Sequence, residues 1–170
     1  FGLQGIKNVG LAALENIMAV RAVRPFESML DFCMRVDLRT CNKRVIEHLI
    51  FAGAFDELPG TRAQQYTELS SILERATEEK RAAQTGQMGL FGIQSSSDAP
   101  HTYTYTSTEV WSEAEILEKE KEVLGVYLSA RPLDRYSRLI AWIQATPLAT
   151  AREKKEQPVI ICGLVQSIKE

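Results

Sequence analysis

The residue types best suited to chemistry in this 170-residue chain are arranged for binding, and the first group is Ile6-Lys7-Asn8-Val9-Gly10-Leu11-Ala12-Ala13. It is a short turn leading directly into an apolar helical pattern. Gly10 has no Cβ and Asn8 tolerates left-handed backbone angles, so the chain bends sharply and leaves consecutive amides and an open helix N-terminus facing one point. An anion fits such a place. If the anion is a nucleic-acid phosphate, Lys7 adds a charge-assisted contact that is indifferent to base identity. Lys7, Asn8, Val9 and Gly10 are therefore a candidate backbone-binding turn, although the same geometry also serves as a plain helix connector. The second group is Gln87-Met88-Gly89-Leu90-Phe91, set between Thr85-Gly86 and Gly92-Ile93-Gln94-Ser95-Ser96-Ser97-Asp98. Adjacent apolar side chains in such a polar stretch form a peptide ligand. A Phe ring buries about 150–250 Å² in a partner's cleft, and the Gln amide supplies donors and an acceptor that fix register. The alternative is that Leu90 and Phe91 fold back onto their own domain.

A second, degenerate copy of the turn runs from Val45 to Asp56. Gly53 matches the first glycine, but Phe55-Asp56 stand where a second glycine would approach phosphate, and the carboxylates of Asp56 and Glu57 repel it. This copy reads as mainly structural, with Lys43, Arg44 and Arg62 as rim contacts. Two turns on one face would grip a duplex backbone without regard to sequence.

The elements that position these groups are mainly helical. Leu11, Leu14, Ile17 and Met18, then Met29, Leu30, Phe32 and Cys33, recur at helical spacing. Pro25 opens the second helix, Asn42 is an N-cap for the third, and Gly53 stops it. A longer helix is expected over 63–83, ending in the solvated Glu78-Glu79-Lys80-Arg81. Residues 86–111 read as a linker in which Thr102-Tyr103-Thr104-Tyr105-Thr106 lies extended across a surface or forms a short edge strand. Ser112-Glu113-Ala114-Glu115 is a capping box for a helix that Pro132 ends, and a shorter helix carries Leu133, Tyr136, Leu139, Ile140 and Ile143. After a charged linker, Val159-Ile160-Ile161-Cys162-Gly163-Leu164-Val165 reads as the first strand of a sheet or barrel. The domain reading is 1–85, 86–111, 112–146 and 147–170.

Composition is that of an ordinary globular chain: 45% hydrophobic, 25% charged and a net charge of −2. Residues 1–62 carry eight Lys/Arg against seven Asp/Glu, and the remainder twelve against fifteen. With so little basic excess, any nucleic-acid contact must rest on local geometry instead of bulk electrostatics. Cys33, Cys41 and Cys162 with His48 and His101 have no metal-ligand spacing, and His48 reads as a packing residue. No membrane span or signal peptide is recognisable, so a cytoplasmic location is expected. From the missing initiator Met and the abrupt end, an excised fragment is expected.

Taken in order, Gly5-Ile6-Lys7-Asn8-Val9-Gly10, Phe32-Cys33-Met34-Arg35-Val36-Asp37-Leu38, Asn42-Lys43-Arg44-Val45-Ile46-Glu47, Ala52-Gly53-Ala54-Phe55-Asp56, Gln87-Met88-Gly89-Leu90-Phe91, Glu120-Lys121-Glu122-Val123-Leu124-Gly125-Val126-Tyr127-Leu128-Ser129 and Pro132-Leu133-Asp134 resemble one family. It is the bacterial C-family replicative DNA polymerases, the alpha subunits of DNA polymerase III. The resemblance implies a mainly α fold: a tandem helix-hairpin-helix domain with flanking helices, and the first strand of a truncated OB-fold. It implies that Gln87, Met88, Gly89, Leu90 and Phe91 bind the sliding clamp. It also implies that Lys7, Asn8, Val9, Gly10, Lys43, Arg44, Gly53 and Arg62 face the backbone of double-stranded DNA, and that other replisome subunits are met through the parent protein. The fragment itself is expected to be catalytically inert and cofactor-free, the magnesium-dependent polymerase site lying before residue 1. Asn8 replaces a usual glycine, and Ala130-Arg131 replace a usual Gly-His. Two other readings stand beside this one. A DNA-repair enzyme would need an activated lysine or carboxylate after the hairpin, and a helical protein-interaction module would need no DNA at all.

Overall fold

The computed structural model describes residues 2–85, 102–154, 157–165 and 168. The chain divides into two compact units, Phe1–Val126 and Tyr127–Glu170. In the first, a 3-10 turn over Leu3–Gly5 leads to α1 (Leu11–Val23), α2 (Met29–Arg35), α3 (Lys43–Phe51), α4 (Arg62–Thr67), α5 (Leu69–Thr85) and, after an extended stretch from residue 102, α6 (Glu113–Leu124). The second holds a 3-10 turn over Asp134–Tyr136 followed by α7 (Ser137–Trp142) and α8 (Leu148–Ala151).

Local sequence sets several helix ends. The Asn42 side chain accepts the Val45 N–H at the start of α3. Thr61 with Gln64, and Ser112 with Glu115, form reciprocal capping boxes on α4 and α6. The helix α2 starts later than Pro25 implies, because Ser28 is its cap and accepts the Asp31 N–H. The residues between α1 and α2 are tied down by charge. Asp31, fully buried, pairs with Arg24 at 2.8 Å and Arg35 at 3.0 Å, and Arg35 also donates to the carbonyls of Val20, Arg24 and Pro25.

The core of the first unit is built from Met29, Leu30, Phe32 and Cys33 of α2, Ile46, Leu49 and Ile50 of α3, and Leu69 and Ile72 of α5. Phe32 meets Phe26 and Phe55 edge to face at 4.9 and 4.8 Å. On α1 the buried residues are Ala13 and Ile17, whereas Leu11 and Met18 are 60% and 53% exposed. That helix is apolar almost all round, so periodicity alone cannot choose its inner face.

Three further expectations are corrected. The long helix over 63–83 breaks at Glu68, between α4 and α5. The helix before Pro132 already stops at Leu124, where Gly125 takes φ +75° as a left-handed cap. No strand forms among the described residues, 159–165 included. Residues 157–165 contribute one backbone bond, from Thr146 N–H to Ile160 C=O at 2.8 Å, and an apolar run without a neighbouring strand has no ladder to join.

Glu68, at the break, ties the helices to a distant segment. Its carboxylate turns to the 102–111 segment and accepts the N–H groups of Thr106 (2.8 Å) and Ser107 (2.5 Å) and the Tyr103 hydroxyl (2.9 Å). Gln64 adds a bond to the Ser107 carbonyl and Thr67 one to Glu109, while the Tyr105 ring covers Gly60 and Trp111 is buried. The Thr/Tyr alternation is thus a strap laid across α4 and α5. The Ser107 N–H foremost, with Tyr103 and Thr106, holds the Glu68 carboxyl below the ordinary glutamate range. Its contribution is complete above the usual value of about 4.3 and is lost as pH falls through the lower folded value. In a Trp142→Phe background, Trp111 emission should therefore report release of the strap in acid. Glu68→Gln should weaken the strap at neutral pH and flatten that acid transition.

Candidate nucleic-acid interface

The first turn is held from three sides. Its own backbone closes with Val9 N–H on the Ile6 carbonyl at 3.1 Å, and the apolar side chains of Ile6 and Val9 are buried beneath it. Asn8 adopts φ +66°, the left-handed conformation that Asn tolerates better than other side chains. The Lys7 carbonyl lies 2.7 Å from His48 Nδ1 of α3, and Asn8 Nδ2 lies 3.4 Å from His48 Nε2. A carbonyl only accepts, so Nδ1 carries the proton and Nε2 takes the Asn8 amide. The Lys7 N–H donates to the Val123 carbonyl of α6 at 2.8 Å.

What this turn presents outward is a helix end. Gly10 is the N-cap of α1, with no side chain to bond the first amides and nothing within 4 Å of where a Cβ would stand. No acidic residue occupies the first turn of α1, and Lys7 and Asn8 are exposed. Free N–H groups, the positive end of the helix and a nearby ammonium together form an anion-receptive surface.

The second turn is organised differently. Gly53 takes φ +75°, as Gly readily does, but the place where its Cβ would be is filled by the Arg62 guanidinium. Arg62 Nε and Nη2 donate to Asp56 at 2.7 and 2.5 Å, and Nη1 donates to the fully buried Glu120 at 2.9 Å. Asp56 first, and Glu120 with it, raise the Arg62 pKa despite its burial. Gly53 and Arg62 are therefore brought together in an internal ion-pair cluster. Lys43 and Arg44 sit exposed on the first turn of α3, with Lys43 Nζ bonded to Ser70 at 2.8 Å, and the α3 amides are partly satisfied by Asn42. The two turns differ in kind: the helix that follows the first is open at its N-terminus, whereas α4, which follows the second, is capped by Thr61 and Gln64.

Gln87, Met88, Gly89, Leu90 and Phe91 lie outside the described residues. Sequence reasoning missed the brace behind the turns, namely His48, Glu120 and Val123. An invariant spacing could not reveal them, since their partners are distant in the chain. Among the described residues no group of three or more His, Cys, Asp or Glu is placed to hold a metal ion. Nor, among them, is any helix long and apolar enough to cross a membrane.

Comparison with known proteins agrees with this geometry. A family model described as a helix-hairpin-helix motif matches residues 1–65. The DNA polymerase III subunit alpha of Pasteurella multocida is 38% identical over 149 residues, covering 87% of this chain and 13% of that protein. The protein of the same name from Bacillus subtilis is 35% identical over 169 residues, covering 99% and 15% respectively. That of Escherichia coli is 34% identical over 141 residues, covering 82% and 12%. This chain thus spans a small fraction of the relatives it matches. Similarity sustained across nearly all of its own length, with the helix-hairpin-helix motif at its start, means that the chain belongs to the alpha-subunit family of bacterial DNA polymerase III.

Proposed function

We propose that this chain is a non-catalytic tethering region of a bacterial DNA-directed DNA polymerase, holding the enzyme to duplex DNA and to the sliding clamp during cytoplasmic replication. The observation that carries the DNA half is the uncapped N-terminus of α1, entered through left-handed Asn8 and side-chain-free Gly10. A backbone phosphate seated there receives helix amides and the Lys7 charge. Lys43 and Arg44 add flanking contacts, whereas Gly53 and Arg62 support the second hairpin from within. None of these groups reads base edges, so binding is independent of sequence.

The clamp half rests on Gln87-Met88-Gly89-Leu90-Phe91: the Gln amide fixes register while Leu90 and Phe91 fill apolar pockets of the clamp. In this reading residues 1–85 engage DNA, 86–111 carry the clamp peptide and its strap, and 112–146 are helical support. Residues 147–170 are read as the approach to an OB-fold, in which the apolar run 159–165 becomes a strand only where a neighbouring strand pairs with it. Contacts with other replisome subunits belong to the parent protein.

The DNA contact is tested by titrating labelled duplexes of unrelated sequence at several salt concentrations. Lys7→Ala should weaken binding severalfold on every duplex and reduce the slope of log affinity against log salt by about one. Unchanged affinity and slope would remove Lys7 and the α1 end from the interface.

A further inference from the structure

The helix-hairpin-helix match ends at residue 65, yet both turns are braced from behind by one element outside it. On α6, the Val123 carbonyl accepts the Lys7 N–H at 2.8 Å and Glu120, fully buried, holds Arg62 under Gly53 at 2.9 Å. Next to Glu120, Lys119 Nζ sits among three rings, 4.5 Å from the centroid of Trp111, 4.6 Å from Phe51 and 5.5 Å from Tyr66. Those rings come from the strap, the end of α3 and α4. We infer that α6 is the positioning element of the two hairpins, with Glu120 and Lys119 as positioning residues that fix the first turn relative to the second.

A buried carboxylate keeps its charge only while paired, so Glu120 fixes where the Arg62 guanidinium lies. That guanidinium in turn fills the space at Gly53 and donates to the Phe51 carbonyl at 3.4 Å, closing the end of α3. The same α3 carries His48, which grips the Lys7 carbonyl. The peptide of Lys7 is consequently clamped between α6 on its N–H and α3 on its C=O. The cation held by the aromatic box keeps α6 against the end of α3, so the two grips cannot move apart independently. Sequence places α6 beyond the clamp peptide, so the residues that shape the DNA-facing turns lie on the far side of the clamp-binding stretch.

This inference rests on the DNA-binding reading for its consequence, but its structural content is measurable without DNA. The test compares the 170-residue chain with Glu120→Ala, Glu120→Gln and Lys119→Ala, following amide hydrogen exchange at residues 7–13 and 53–56 together with duplex affinity. Glu120→Ala should speed exchange at both turns and lower duplex affinity about tenfold, while circular dichroism shows retained helix. Glu120→Gln keeps an oxygen acceptor for Arg62 and should recover most of the loss, and Lys119→Ala should loosen the first turn in the same direction. Should Glu120→Ala unfold, Lys119→Ala decides by the same exchange readout. Unchanged exchange at both turns in Glu120→Ala, or in Lys119→Ala where Glu120→Ala does not fold, overturns the brace. Absence of duplex binding by the unaltered chain overturns the DNA reading instead, and leaves turn exchange to judge α6 alone.

Discussion

Replacing Leu90 and Phe91 together by alanine should reduce affinity for the sliding clamp by roughly a thousandfold while leaving the helical unit and its unfolding midpoint unchanged. In a short peptide ligand a few side chains carry most of the binding energy, about 2 kcal/mol or more for each good anchor. Two such losses correspond to about three powers of ten. Gln87→Ala should cost less, because it removes hydrogen bonds that water partly replaces. Isothermal calorimetry of the parent and the double variant against the clamp measures this directly. Equal affinities would mean that Leu90 and Phe91 do not enter the clamp.

The second large effect belongs to Gly53. Alanine there should lower the unfolding free energy by roughly 3–5 kcal/mol, a large part of the 5–15 kcal/mol typical of a domain. A left-handed non-glycine residue costs about 1–2 kcal/mol, and the added methyl would meet the Arg62 guanidinium and the Asp56 carboxylate. Arginine tips usually move aside cheaply. This one is only 12% exposed and pairs with the fully buried Glu120, so displacing it pulls a guanidinium away from a buried carboxylate. Urea denaturation should show a lower midpoint with an unchanged m-value. Combining Gly53→Ala with Arg62→Ala should cost less than the two single effects added. Strict additivity would show that the collision with Arg62 is not the cause.

How much of this was legible in the sequence depends on how far apart the partners lie. Asn42, Ser112 and Gly53 announce helix ends because a cap or a left-handed glycine acts on residues two to four positions away. The Lys7-Asn8-Val9-Gly10 turn is legible for the same reason. The brace is not: His48 is 41 residues from Lys7, and Glu120 is 58 from Arg62, and no periodicity carries a contact of that range. His48 reads as a core residue because it is one, and its role in the turn appears only when both ring nitrogens are seen engaged. The same holds for Glu68, which stands where a helix of good propensity is interrupted and whose carboxylate is satisfied by three residues of a distant strap. On α1 the difficulty is the reverse: apolar residues on every face give several possible inner sides. Arg62 looked like a rim contact since an arginine next to a hairpin usually faces solvent, and only the buried Glu120 explains why this one does not.

The central claim is that one chain holds duplex and clamp together, so the most direct measurement compares its affinity for the free clamp with that for the clamp loaded on duplex DNA. Two linked contacts raise each other's effective concentration, and the loaded clamp should bind about a hundredfold more tightly at low salt. That gain should shrink with added salt or Lys7→Ala, and clamp binding itself should vanish with Leu90→Ala and Phe91→Ala. Equal affinity for free and loaded clamp, unaffected by salt, would contradict the account.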